Sequence, residues 1–104
     1  EHIGLGRYGD KLDPEGDLKA IKELKRVVSK GGSLLFVVPM GEPKIMFNAH
    51  RVYSYEQIVE YFSDFTIKEF AFIPEKKGEI VYNASPNLVT KENYGCGCFW
   101  FIKK

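Results

Sequence analysis

The sequence predicts a single α/β domain with a mostly parallel sheet. Residues 17–30 have the pattern of a helix, which ends at Gly31-Gly32 and is followed at once by the apolar run 34–38. A strand without polar alternation is typical of strands that are covered on both faces, as in layered α/β proteins. The length of 104 residues, of which 44% are hydrophobic and 28% charged, suits one globular domain over residues 1–104.

The first helix is predicted from the spacing of its apolar residues, which fall on one face while lysines fall on the others. Asp17 is placed to cap its first turn, and Gly31 tolerates the left-handed conformation that closes a helix. Pro39 is expected to end the strand that follows. The apolar positions of the helix are Leu18, Ile21, Leu24 and Val28.

The second helix has clearer boundaries. Ser54 and Gln57 have the spacing of a capping box, and Tyr53 before the cap is placed to pack on Ile58 as a hydrophobic staple. We therefore predict a helix over residues 55–62.

The remaining strands are predicted from alternation and aromatic content. Residues 65–72 alternate closely enough for a half-buried strand, and residues 96–103 form a last strand rich in aromatic side chains. Between these strands the sequence predicts a polar turn over residues 75–79, a short strand or an anchored loop at 80–82, and an irregular segment over 83–93.

Charge and hydropathy exclude two classes of partner. The 15 Lys and Arg residues and the 14 Asp and Glu residues are mixed along the chain and leave a formal net charge of +1, so no surface for nucleic acid is predicted. No apolar run approaches the ~20 residues that a membrane-spanning helix needs, so no membrane partner is predicted either. The two cysteines, in a chain without a secretion signal, are expected to be reduced, which favours a cytoplasmic protein.

A glycine pattern near the start resembles a dinucleotide-binding turn in its spacing alone. Gly4, Gly6 and Gly9 satisfy G-x-G-x-x-G, but that motif has to follow a buried strand and open a helix. Here the residues that follow, 10–14, include a proline and break a helix. We therefore predict a flexible or ligand-covering loop.

Two cysteines and two histidines are the residue types that bind zinc. Only one residue lies between Cys96 and Cys98, however. Structural zinc sites use cysteine pairs with two to four residues between them, which wrap the ion in a turn. With His2 and His50 far away in sequence, we predict two reduced thiols on a strand and no metal site.

Polar groups crowd just ahead of the second helix, where α/β proteins often place ligand contacts. His50 suits an acid, a base or an oriented donor, and Arg51 suits a carboxylate or phosphate partner. Asn48 lies in the same segment. The alternative, a loop held by its own side-chain hydrogen bonds, fits the residues equally well.

Several segments resemble the second half of class I S-adenosylmethionine-dependent methyltransferases. They are Glu-His-Ile-Gly at residues 1–4, Leu-Lys-Arg-Val-Val at 24–28, Lys-Gly-Gly at 30–32 and the strand at 34–38. More narrowly, residues 4–10, 17–20, 47–53 and 94–98 are similar to an uncharacterised methyltransferase-like domain family first catalogued in nematode proteins. This narrower resemblance spans nearly the whole chain.

The resemblance implies a partial Rossmann-like sheet. This chain would supply the last three of seven strands, with the final strand antiparallel between the other two, together with two main helices. The glycine turn and the acidic residue that hold the cofactor in complete enzymes have no counterpart here, so this chain alone is not expected to bind S-adenosylmethionine.

The resemblance also implies roles for individual residues. Glu1 and His2 would lie beside the cofactor, and a small-molecule acceptor would meet four residues, Arg7, Asn48, His50 and Arg51. His2, His50 or Asp10 would serve as the base if the acceptor has to lose a proton. The sequence does not choose among these three.

Two functions remain open at this point. The chain is either the C-terminal part of a methyltransferase-like enzyme, with its N-terminal half missing from these residues, or a non-enzymatic module that oligomerises through an exposed strand edge. The expected partner is accordingly the missing half or a second copy.

Overall fold

The described residues form both helices and strands, which confirms the α/β class. The computed structural model describes residues 1–76 and 78–104, so Lys77, within the predicted turn at 75–79, lies outside the described residues. The elements are α1 (Gly16–Val27), β1 (Ser33–Met40), β2 (Lys44–Met46), β3 (His50–Val52), α2 (Tyr55–Tyr61), β4 (Phe65–Ile73), β5 (Val81–Tyr82), α3 (Pro86–Thr90) and β6 (Gly95–Lys103).

The main sheet has the strand order β1-β6-β4-β5, and each neighbouring pair is antiparallel. The prediction of a mostly parallel sheet is therefore wrong. A helix followed by an apolar strand indicates that the two elements pack together, but it does not indicate which strand becomes the neighbour. The last strand, β6, inserts between β1 and β4, and this central antiparallel position is the one that the resemblance implied for it.

The strand β1 is covered on one face only, which corrects the expectation of two covered faces. Leu34 and Phe36 pack against the core, whereas 72% of Leu35 and 60% of Val37 are exposed. Pro39 lies inside the strand and does not end it. A proline is tolerated there because β1 is at the edge of the sheet and the backbone nitrogen of Pro39, which cannot donate a hydrogen bond, points away from β6.

The core lies between the inner face of the sheet and the helices. Phe62 stacks on Phe101 at a ring distance of 4.4 Å, and Phe101 lies parallel to Phe99 at 5.0 Å. These rings join the end of α2 to the central strand. The fully buried large side chains are Met40, Ile58, Phe62, Phe72, Val89, Phe99 and Phe101.

Helix α1 is shorter than predicted and buries a narrower face. It ends at Val27, because Val28 is already extended. Ile21 is buried, but Leu18 and Leu24 remain 39% exposed. Asp17 does not cap the helix as predicted; it is buried and accepts a hydrogen bond from a tyrosine described below.

The end of α1 is tied to the central strand by a contact that the sequence did not predict. The ammonium of Lys103 donates to the carbonyl oxygens of Lys25 and Val28, at 2.8 Å each. These are carbonyls at the end of the helix, where a cation is favourable. Gly31, in the left-handed conformation expected for it, donates its amide to the carbonyl of Lys103.

Helix α2 confirms its predicted boundaries to within one residue. The Gln57 amide donates to Ser54 Oγ (3.1 Å), and the Ser54 amide donates to Gln57 Oε1 (2.9 Å), which completes the capping box. Both partners of the predicted staple, Tyr53 and Ile58, belong to the core.

The segment 83–93 is not irregular throughout, as predicted, because it contains α3. Ser85 accepts a hydrogen bond from the Asn87 amide, and Pro86 occupies the first turn. Serine followed by proline is a recognised helix start, but five residues are too few to show a helical periodicity. Val81 and Tyr82 form the short strand that was one of the two alternatives.

Two glycines of β6 bring large side chains together over the strand. A Cβ on Gly97 would overlap the Met40 side chain, and one on Gly95 would overlap the Phe72 ring. Met40 and Phe72 come from the strands on either side of β6, so they close over it only because these positions carry no side chain. Among the described residues, none of the helices has the length and apolar character needed to cross a membrane.

Candidate functional site

The N-terminal segment crosses the hairpin formed by β2 and β3. The Glu1 carbonyl accepts a hydrogen bond from the Arg51 amide at 3.0 Å. His2 Nδ1 is hydrogen-bonded to the Ala49 carbonyl, and the Arg7 guanidinium donates to the Asn48 carbonyl at 3.4 Å. Residues from the first few positions therefore meet a turn more than 40 positions away in sequence.

This crossing brings together most of the predicted site residues. Two segments lie on the same part of the surface. One is the N-terminal segment, which the family resemblance indicated, and the other is the polar segment ahead of α2. Asp10 is engaged elsewhere, as described below. The residues gathered at the crossing are Glu1, His2, Arg7, Asn48, His50 and Arg51.

Aromatic rings flank the two histidines at the crossing. The Tyr8 ring meets His2 edge-on at 5.3 Å, and the Tyr94 ring meets His50 at 4.7 Å. Asn48 adopts a left-handed conformation, with φ of 58°, at the tip of the hairpin. Phe47 beside it is exposed, so the crossing presents a half-buried polar centre next to apolar surface.

Arg51 is buried, and the protein itself occupies its guanidinium. It donates to the carbonyls of Ile3, Asp13 and Pro14, and Nε lies 3.6 Å from Asp17 Oδ2 without a hydrogen-bond partner. With 3% of the residue exposed, this cation holds the N-terminal segment and the start of α1 against β3. Its predicted contact with a substrate stays a prediction.

The partner carboxylate, Asp17, also binds Tyr53. The Tyr53 hydroxyl donates to Asp17 Oδ2 at 2.8 Å. Burial, followed by the hydrogen bond to Asp17, raises the pKa of Tyr53 far above its ordinary value, so this residue remains a neutral donor. The sequence alone does not indicate this pair, because Asp17 fits a helix cap and Tyr53 fits a staple equally well.

A surface cleft of about 480 Å³ opens beside these buried charges. It lies between the start of α1, the hairpin and α2. Asp17, Arg51 and Tyr53 form its polar wall, and Lys44 and Gln57 contribute further polar groups. The cleft therefore combines buried charge with an opening to solvent.

Asp10 closes the glycine loop. Its carboxylate accepts hydrogen bonds from the amides of Gly4 (2.7 Å), Gly6 (3.4 Å) and Tyr8 (3.4 Å). The Gly4 amide is the main cause of a lowered pKa for Asp10. The amides that a bound phosphate would need are thus already occupied, and the loop neither follows a strand nor opens a helix.

We expect Arg51→Met to destabilise the domain by about 3–5 kcal/mol, because it leaves Asp17 as an unpaired buried charge. Chemical denaturation measures the change in the free energy of unfolding. The matched control is Arg26→Met, whose exposed pair with Glu23 is screened by solvent, so its loss should change the free energy of unfolding much less. Equal losses in the two variants would contradict the structural role of Arg51.

We expect the stabilising effect of Asp10 to depend on pH. Its pKa is lowered in the folded state from the usual 3.8, so its contribution is present above that value and is lost as the pH falls through the folded pKa. Asp10→Asn should therefore unfold more readily at neutral pH and converge with the wild type in acid. Denaturation curves at several pH values test this, with Glu79→Gln as an exposed control; a constant difference between Asp10→Asn and the wild type would refute it.

Comparison with known proteins gives a family but no characterised relative. No curated protein matches the chain, and no solved structure matches it. A family model described as "Caenorhabditis protein of unknown function, DUF268" matches residues 1–90. The chain therefore belongs to the DUF268 family.

Proposed function

We propose that this domain is the C-terminal half of a methyltransferase-like fold, which acts on a small-molecule acceptor together with a separate cofactor-binding half. The observation that carries the proposal is the position of β6, antiparallel between β1 and β4. That is the order the resemblance implies for the last three strands. An α/β domain with helices against one face of its sheet is consistent with it.

The uncovered face of the sheet supports the same proposal. Leu35 and Val37 on β1, and Tyr82 on β5, are exposed large hydrophobic residues. A complete layered α/β protein covers such a face with a second layer of helices. A cofactor-binding half joined at the β1 edge would supply this layer.

The residues of this chain do not fit S-adenosylmethionine by themselves. The glycine loop is the segment with the required freedom of the backbone, but Asp10 already takes its amides. The next helix, α1, begins well after this loop. We therefore assign no cofactor contact to the loop and place the main cofactor site in the other half.

The proposed contribution of this chain is to receive the acceptor at the crossing. Among the three candidate bases, His2 is favoured by its hydrogen bond. A carbonyl oxygen only accepts, so the contact with Ala49 keeps the proton on Nδ1. Nε2 is then the nitrogen that can take a proton from an acceptor, and the Glu1 carboxylate lies 3.9 Å from it. Asp10 is committed to the loop, and its lowered pKa makes it a poor base.

Titration calorimetry with S-adenosylmethionine tests the proposal, on the 104-residue chain and on the longest natural chain that contains it. We expect binding by the longer chain and none by the 104 residues, because the loop amides of the latter are occupied. ATP, which shares the adenosine group, is the control ligand. Absence of binding to both chains would overturn the proposal.

A second candidate function, association with another copy, is favoured by the edge of β1. Tyr53 donates to the Pro39 carbonyl from outside the sheet, and Lys103 donates to the Gly32 carbonyl from β6. Successive residues of an antiparallel strand direct their backbone groups to opposite sides. Leu35 and Val37 alternate with Pro39 in the same series, so their backbone groups also point outward, away from β6. No strand pairs with them among the residues that the structure describes.

We expect the chain to be a dimer by light scattering at about 100 μM, in the range of micromolar association, if the β1 edge binds a second copy. Val37→Lys should then give a monomer, since a lysine on an edge strand opposes pairing. Tyr82→Lys, on the other edge of the sheet, is the matched control and should remain a dimer. A monomeric wild type would exclude this second function.

A further inference from the structure

The strand β6 separates two kinds of residue onto its two faces. Gly95 and Gly97 face the core, so Cys96 and Cys98 both face outward, and both are half-buried free thiols. Residues two apart on a strand lie about 6.6 Å from each other along it and project in the same direction. The two sulfur atoms therefore form a neighbouring pair on one surface.

The cross-strand neighbours of this pair are apolar. Cys96 lies opposite Pro39 on one side and Ile73 on the other, and Cys98 lies opposite Val37 and Ala71. Cys98 also borders a shallow hollow of about 230 Å³ on the open face of the sheet. Among the described residues, no group of three or more His, Cys, Asp or Glu side chains is placed to hold a metal ion.

These surroundings select the kind of ligand that the pair suits. Zinc takes four ligands, which the two thiols cannot supply. A direct disulfide between residues two apart on a strand is at the upper limit of the allowed Cα separation and would strain the backbone. A larger atom between the two sulfurs spans a longer distance, and soft atoms prefer sulfur ligands.

We propose that Cys96 and Cys98 form a dithiol site for a soft, thiophilic atom that needs only two sulfur ligands from the protein. A trivalent arsenical is the clearest case. In the reaction with phenylarsine oxide, the arsenic–oxygen bond is replaced by two arsenic–sulfur bonds. The two thiol protons leave with the oxygen as one water molecule. No oxidation or reduction takes place, because arsenic remains trivalent.

The surroundings of Cys96 shift the pKa of its thiol. Burial, together with the neighbouring Cys98, raises the pKa of the Cys96 thiol to about 11. A neutral thiol is a weak nucleophile toward alkylating reagents. The overall reaction with the arsenical releases both thiol protons in one water molecule, so its stoichiometry is the same whether a thiol starts protonated or ionised. The inference does not depend on the proposed function.

The test is to treat the folded 104-residue chain with one equivalent of phenylarsine oxide, remove the excess, and measure the intact mass. We expect one adduct per chain, with the loss of one water. After the treated chain is unfolded, we expect no alkylation by iodoacetamide, whereas the untreated chain, unfolded in the same way, should be alkylated at both thiols. Cys96→Ser and Cys98→Ser should each bind the arsenical at least ~100-fold more weakly, because the gain from linking two contacts is lost. Fluorescence of Trp100 checks that both variants are folded.

Three results would overturn the site. The first is an adduct with only one sulfur, in which a thiol still reacts with iodoacetamide. The second is a serine variant that binds the arsenical with the same affinity as the wild type. The third is protection of both thiols from iodoacetamide by zinc to the same extent as by the arsenical. The last result would mean that the pair belongs to a site with more ligands than the two sulfurs.

Discussion

The double pairing of β6 is the constraint on which the rest of the domain depends. Its backbone joins β1 to β4, and its inner rings, Phe99 and Phe101, form the floor on which α2 packs. Its last lysine holds the end of α1. The core therefore closes only when β6 is in place, although every other described element precedes β6 in the sequence.

A second constraint, Arg51, organises the surface that we propose as functional. Its main chain binds Glu1 and its side chain binds carbonyls near the start of α1, so the hairpin and the N-terminal segment keep a fixed relation. Because such a buried guanidinium is tied by several acceptors at once, the neighbouring His2 and His50 are presented on a supported surface. The polar side chains crowded at residues 48–51 therefore support the structure as well as the proposed site.

Local features were predictable, whereas neighbours and burial were not. The capping box fixed the start of α2 because Ser54 and Gln57 interact with backbone only three residues away. The apolar run of β1 indicated a buried strand. Whether its second face is covered depends on the elements that pack there, which no local pattern reports. Asp17 shows the same limit at the site, since its buried partners, Arg51 and Tyr53, come from a distant segment.

The alternation of glycine and cysteine on β6 has a consequence for how the sequence can diverge. A side chain at position 97 would displace the Met40 side chain, and one at position 95 would displace the Phe72 ring. The inner positions should therefore change in pairs across strands. Cys96 and Cys98 face outward and carry no such volume coupling, so the two faces of one strand can evolve under different rules.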